Sequence, residues 1–230
     1  MKSIIFRIYN QISDFMGLRR RIKAWYGLRY WKICKAKEGI LSNSHYEYFY
    51  TTHFGLDKEF YNGKKILDLG CGPRGSLEWA DMASERIGLD PLADAYSKLG
   101  TNYHKMKYVA APAEQIPFPD EYFDVVSSFN SLDHVDNLDK TLNEIIRVIA
   151  PGGLFLLLTD LNHDPSFTEP IVFSWDITKK FLPHLKVVQE KHYERSPVGI
   201  YKSILAGIPY DYTNKLRRYG VLSAKFIKIV

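Results

Sequence analysis

The chain has 230 residues, 46% of them hydrophobic and 25% charged, a composition that suits a soluble globular protein with length for one large domain and an ample core. Two cysteines, Cys34 and Cys71, give no disulfide framework and point to a reducing compartment; no apolar run approaches the length of a membrane span, and the opening MKSIIFRIYNQI lacks a secretory cleavage pattern, so a cytoplasmic protein is expected. The net charge of +5 is uneven, because residues 1–37 hold ten basic residues against Asp14 alone; the rest is slightly acidic, and any attraction to anions belongs to the N-terminus.

Residues 1–60 read as a helical, basic and aromatic extension. Ile4, Ile5, Ile8, Ile12, Phe15 and Met16 recur at helical spacing, Gly17 interrupts, and Ile22, Trp25, Tyr26, Tyr30, Ile33 and Cys34 form a second stripe with basic residues largely off it. Two roles are open: a lid over a ligand crevice, or, for residues 1–37, an interfacial helix on an anionic membrane surface that would make the protein peripheral to the membrane. His45 to Phe54, with Tyr46, Tyr48, Phe49 and Tyr50, would then reach the crevice edge.

Residues 61–230 read as the catalytic domain. Lys64 to Ser76 runs KKILDLGCGPRGS. Ile66–Leu69 suits a buried parallel strand, Gly70, Gly72 and Gly75 allow a tight turn with close backbone approach to a ligand, and Ser76 to Ala80 is predicted to start a helix. Asp90 ends the next strand in IGLDP, where a carboxylate can accept both hydroxyls of a ribose. Further strands are expected near 107–110, 123–129 and 153–160, with helices near 76–83, 92–99 and 138–149. The alternation predicts an α/β, Rossmann-like, mostly parallel sheet with helices on both faces. Pro151-Gly152-Gly153 is read as the stop between helix and fifth strand, and Asn130 and Asp160 fall at carboxyl ends of strands, where such sheets bind ligands. Beyond residue 160, Ile177 to Phe181 looks helical, Leu185 to Tyr193 alternates like a strand, and Gly220 to Ile229 reads as a closing strand.

With these motifs in place, the chain resembles the class I S-adenosylmethionine-dependent methyltransferases of the small-molecule branch, through DLGCG, Ala113-Glu114-Gln115-Ile116-Pro117-Phe118, Tyr122-Phe123-Asp124, His134-Val135 and Arg147 to Gly153. The resemblance implies a seven-stranded sheet whose antiparallel closing strand inserts beside the fifth, and S-adenosylmethionine as cofactor. In that family Asp68 would take the methionine ammonium group, a position where a dinucleotide-binding strand usually carries a small apolar residue. Gly70, Cys71, Gly72, Arg74, Asp90, Pro91, Ala113, Glu114 and Asn130 complete the implied cofactor set, with Cys71 read as packing rather than as a nucleophile. Arg74 could pair with the methionine carboxylate or with an acid elsewhere. Pro112 departs from the Asp that often precedes the Ala113-Glu114 pair.

Methyl transfer to a hydroxyl or ammonium requires disposal of a proton, and the candidates are His134, His163 and Asp133, with Glu169 on the same loop as His163. His134 matches a position the family commonly fills with histidine; Asp133 stands where many relatives carry a second one. No metal is expected, because the cysteines lack zinc spacing and the histidines show no paired-ligand pattern. Tyr201, Tyr210, Tyr212, Lys215, Arg217 and Arg218 form an aromatic and polar stretch suited to polyhydroxylated acceptors. The chain is similar to bacterial enzymes of cell-surface glycan or sugar biosynthesis, which implies a hydroxyl of a sugar or polysaccharide precursor as acceptor, with amino sugars, quinones and secondary metabolites also open. A nucleotide-dependent oxidoreductase is disfavoured by Asp68 and by Tyr-x-x-x-Lys matches (Tyr61 to Lys65, Tyr103 to Lys107) that lead into strands. A non-catalytic cofactor-binding module docking through the basic N-terminus is a third class. Nucleic acid is an improbable substrate, since no Asp/Asn-Pro-Pro-Tyr/Phe signature follows the fourth strand.

Overall fold

The computed structural model describes residues 17–229, in two compact units divided between Leu41 and Ser42. The expected stripe from Ile4 to Met16 lies outside the described residues. The first unit contains helix α1 (Leu18–Glu38), which Gly39 ends with a positive φ. Trp25, Tyr26, Tyr30 and Ile33 are exposed on it, and Arg29 sits on the stripe itself, its guanidinium 5.2 Å from the Trp25 ring centroid.

The second unit begins at Ser42, not at residue 61. Helix α2 (Tyr46–Tyr50) and the 3₁₀ turns Thr52–Phe54 and Glu59–Tyr61 bury Phe49, Tyr50, Phe54 and Tyr61 in the core, so residues 42–60 are structural parts of the domain they precede. Strands β1 (Lys65–Leu69), β2 (Glu85–Leu89), β3 (Lys107–Val109), β4 (Phe123–Phe129), β5 (Ile149–Leu161), β6 (Leu185–Glu194) and β7 (Gly220–Lys228) form one sheet in the order β3-β2-β1-β4-β5-β7-β6. The first five are parallel, and β7 runs antiparallel between β5 and β6, as the resemblance implied.

Alternate residues of each strand serve opposite faces. Leu67, Leu69, Ile87, Val126 and Phe155 pack with Leu142, Ile145 and Val148 of helix α4 (Leu138–Val148). On the other face Ile66, Val125, Leu156 and Leu158 pack with Tyr46, Phe49 and Tyr50 of α2 and with Ile200 and Ile204 of helix α5 (Ile200–Ala206). Helix α3 (Ala93–Tyr96) is a single turn continued by 3₁₀ turns, shorter than the predicted 92–99 helix.

Two local expectations fail. No helix follows the glycine loop: residues 76–83 form successive turns with i→i+3 bonds, such as Ala80 N–H to Leu77 C=O. The carbonyls of Leu77 and Glu78, which would open an α-ladder, instead accept from Arg86 Nη1, and the Glu78 carboxylate accepts the N–H groups of Lys105 and Met106. Pro151 and Gly152 do not separate helix from strand either, because pairing with β4 already begins at Ile149 and the pair forms an irregularity within β5.

Candidate functional site

The carboxyl ends of β1 and β2 deliver Asp68 and Asp90 to one loop. Asp68 is 3% exposed; its Oδ2 accepts from Ser76 Oγ at 2.5 Å and its Oδ1 from Ser127 Oγ at 2.8 Å. Burial raises its pKa from 3.8 to about 6, partly offset by the hydroxyls of Ser76, Ser127 and Tyr50. Among the described residues no cation forms an ion pair with it. Asp90, also buried, accepts the N–H of Gly72 at 3.2 Å and of Leu92 at 2.8 Å, and burial again raises its pKa.

The glycine loop is shaped for close approach. Gly70 has φ +68, and a Cβ there would enter the side chain of Ser131, whose Oγ donates to Leu69 C=O at 2.7 Å and accepts from Ser128 Oγ at 2.8 Å. Cys71 packs against Gly88 of β2 and Met106, and burial pushes its thiol well above the ordinary range, which agrees with packing rather than nucleophilic use. Arg74 donates to the Ser42 carbonyl at 3.0 Å. The buried Tyr50 hydroxyl lies beside Asp68 and Ser127, near enough to favour the carboxylate's charge but without a well-formed hydrogen bond to either. A buried carboxylate lacking a counter-cation, with an unsatisfied hydroxyl beside it, fits the ammonium end of an amino-acid-bearing nucleoside. A dinucleotide pyrophosphate would be repelled there.

Asn130 occupies the left-handed region (φ 54) at the end of β4, its N–H bonded to Leu158 C=O at 2.7 Å. Ala113 and Glu114 lie on a loop held by Arg147 of α4, whose guanidinium donates to the carbonyls of Ile116 and Phe118 and to Glu144 and Asp120. Glu114 uses Oε1 to accept the N–H groups of Asp136 and Asn137 at 2.6 and 3.0 Å. Its carboxylate therefore ties the 113–118 loop to the segment at Asp136 and Asn137. Pro91 is exposed after Asp90.

Asp133, His134, His163 and Glu169 come together beside this crevice. Asp133 is nine-tenths or more buried, its Oδ2 is 3.7 Å from His163 Nε2, and its Oδ1 is 4.0 Å from His134 Nε2. Glu169 Oε1 lies 3.7 Å from the same His134 nitrogen. The loop from 162 to 173 folds back to make this possible, through Asn162 N–H to Phe173 C=O and Ile171 N–H to Asp133 C=O. Burial raises the Asp133 pKa, opposed by His134. Burial raises the Asp90 pKa, and a charged His134 is near enough to offset a small part of that rise.

Sequence reasoning missed Ser76 and Ser127, whose hydroxyls hold Asp68; a serine in the middle of a buried parallel strand was the available signal for Ser127. It also missed Arg195, which pairs with Asp160 at 2.6 Å and so occupies that strand-end acid. The aromatic stretch divides: Tyr201 packs with Tyr46 and Phe49 near Asp68, whereas Tyr210 and Tyr212 gather around Trp175 with Arg218 over the Tyr210 ring.

The sheet order, with β7 antiparallel between β5 and β6, is that of a Rossmann-like α/β fold, and solved structures align over it. Residues 67–157 match the family described as a methyltransferase domain. The chain is 34% identical over 125 residues to the ubiquinone/menaquinone biosynthesis C-methyltransferase UbiE of Vibrio parahaemolyticus, covering 48% of this chain and 44% of the relative. It is 32% identical over 121 residues to the chloroplastic tocopherol O-methyltransferase of Arabidopsis thaliana, covering 49% and 35%. The chain thus spans less than half the length of these curated relatives. Among solved structures, the YcgJ protein from Bacillus subtilis aligns with TM-score 0.56 at 17% identity over 78% of this chain and 99% of that one. The N-methyltransferase NodS from Bradyrhizobium japonicum, in complex with S-adenosyl-L-homocysteine, aligns with TM-score 0.52 at 12% identity over 73% and 79%. No helix among the described residues is long and apolar enough to cross a membrane.

Proposed function

We propose that the protein is an S-adenosylmethionine-dependent methyltransferase acting on a small hydroxylated acceptor. The observation that carries this is Asp68: a buried carboxylate with hydroxyl partners but no ion-pair partner, at the end of β1 beside a glycine loop and across from Asp90. Asp68, with Tyr50 next to it, would hold the methionine ammonium group; Asp90 would hold the ribose hydroxyls, with Gly70, Cys71, Gly72, Arg74, Pro91, Ala113, Glu114 and Asn130 lining the rest. The bound cofactor supplies an electrophilic methyl on a sulfonium, so its carbon–sulfur bond breaks as the new bond to the acceptor forms.

The residues' share is orientation and proton removal. His163 donates Nδ1–H to the Asp164 carbonyl at 3.0 Å, which leaves Nε2 with its lone pair when the ring is neutral. That atom, with Asp133 and His134 nearby, would receive the acceptor's proton once the acceptor is bound. Residues 1–37, rich in basic residues, would lie on an anionic membrane surface, a use that suits the exposed aromatic and basic side chains of helix α1.

For the acceptor, the Trp175, Tyr210 and Tyr212 group with Arg218 favours a sugar or polysaccharide precursor hydroxyl. The similarity to UbiE and to tocopherol O-methyltransferase favours a second reading, a quinone-type ring, methylated on carbon or oxygen. Calorimetric titration with S-adenosylmethionine against NAD(P) tests the cofactor. Formation of S-adenosylhomocysteine with sugar-nucleotide and hydroquinone panels decides between the acceptors; absence of S-adenosylmethionine binding defeats the whole reading.

A further inference from the structure

The acid–histidine cluster has donor atoms in an arrangement that proton transfer alone does not require. Asp133, His134 and Glu169 each place one ligand atom so that all three lie within 4.8 Å of one another. Ligands about 2.0–2.2 Å from a shared ion stand about 3–4.4 Å apart, and the separations of 3.7 and 4.0 Å around His134 Nε2 fall in that range. Two buried atoms of the cluster complete no hydrogen bond, Asp133 Oδ1 and His163 Nε2. Both are acceptors when His163 is neutral, because its Nδ1 must donate to the Asp164 carbonyl. A lone pair on imidazole facing a carboxylate oxygen at 3.7 Å in a buried site calls for a positive charge nearby.

We propose that Asp133, His134 and Glu169 form a binding site for a first-row divalent cation of the zinc or manganese type. One imidazole and two carboxylates suit such ions, whereas magnesium and calcium prefer oxygen alone. Three protein ligands leave coordination positions open, the arrangement of a site that takes a further oxygen ligand. His163, whose Nε2 lies 3.7 Å from the other oxygen of Asp133, stands in the outer shell. Linear spacing gives no metal pattern here because the ligands come from two segments, 133–134 and 169, joined only by the folded-back loop. That the open positions face the acceptor rests on the methyltransferase reading; the cation site itself does not.

The test is titration of chelator-treated full-length protein with Zn²⁺ and with Mn²⁺, followed calorimetrically, in the wild type and in Asp133→Asn, Glu169→Gln and His184→Ala. Expected are one site per chain for at least one ion, roughly 10–100-fold weaker binding in Asp133→Asn and Glu169→Gln, and no change in His184→Ala, which lies outside the cluster. Glu169 is partly exposed, so its variant folds even should Asp133→Asn not. Wild-type binding no tighter than that of Glu169→Gln overturns the proposal. S-adenosylmethionine titrated into the metal-free protein separates the two readings. Cofactor binding without a cation site removes the cation and keeps the enzyme; a cation site without cofactor binding does the reverse.

Discussion

Asp68→Asn makes the fold more stable and the cofactor weaker, and both effects can be sized. With its pKa raised from 3.8 to about 6, the folded state holds the proton more tightly than the unfolded chain does. Stability from this group is therefore greatest below pH 3.8, is lost as pH rises to about 6, and is level above that. At 1.36 kcal/mol per tenfold difference in proton affinity, the charged carboxylate costs about 3 kcal/mol at pH 7.5 and roughly 1 kcal/mol at pH 4.5. Asparagine keeps the shape and one acceptor, and the hydroxyls of Ser76 and Ser127 can rotate to satisfy its amide. In urea denaturation without ligand the variant should gain up to about 3 kcal/mol at pH 7.5, and clearly less at pH 4.5. The same change removes a charge-assisted contact to an ammonium group, about 1.5–3 kcal/mol, or roughly 10–150-fold in S-adenosylmethionine affinity by calorimetry. A variant that is destabilised at pH 7.5 and binds the cofactor as the wild type does would refute the reasoning on both counts.

Asp90→Ala should weaken S-adenosylmethionine by about 1.5–3 kcal/mol, with the loss reduced when the ligand lacks ribose hydroxyls, both read by calorimetry. Gly70→Ala forces a side chain into Ser131 at positive φ and should cost about 2–5 kcal/mol in denaturation, while the same change at Gly63, where a Cβ meets nothing, costs only the φ strain. His163→Ala should lower turnover by roughly 10²–10⁴-fold with cofactor affinity unchanged, measured as S-adenosylhomocysteine release; wild-type rates would return His163 to a structural role. If residues 1–37 meet a membrane, the full chain should co-sediment with anionic but not zwitterionic vesicles, and less so as salt rises.

The parallel sheet was legible because its strands are short apolar runs, the first two stopping at Gly70 and Asp90, and burial on both faces leaves little else that such runs can do. Asp68 and Asp90 were legible for the same reason, as charges at the ends of apolar strands. The helix after the glycine loop was misread because Arg86 takes the carbonyls of Leu77 and Glu78 and the Glu78 carboxylate is drawn to the N–H groups of Lys105 and Met106, long-range partners that local propensity does not register. The compact unit takes in residues 42–60 because the aromatic residues of 46–61 are covered by β4 and β5, partners distant in sequence that a local reading does not register. Asp133, His134 and His163 could each be named singly, but their convergence depends on one loop folding over another.

Two sets of carboxylates in this unit differ in their partners, and the difference follows the division between scaffold and proposed site. Glu144 and Glu194 are bonded to Arg147 and Arg218, which hold their pKa values down; each pair fastens a loop to an element. Asp68, Asp90 and Asp133 are buried without an arginine, and burial raises all three. Asp160 stands between the groups, raised by burial although paired with Arg195. A fold that supplies arginine to its structural acids has the means to neutralise the others, yet it spends only hydroxyls and backbone N–H groups on Asp68 and Asp90 and leaves one oxygen of Asp133 bare. Such groups lower stability in the free protein and recover it when a ligand brings positive charge or hydrogen-bond donors, which is how binding sites, not scaffolds, are built.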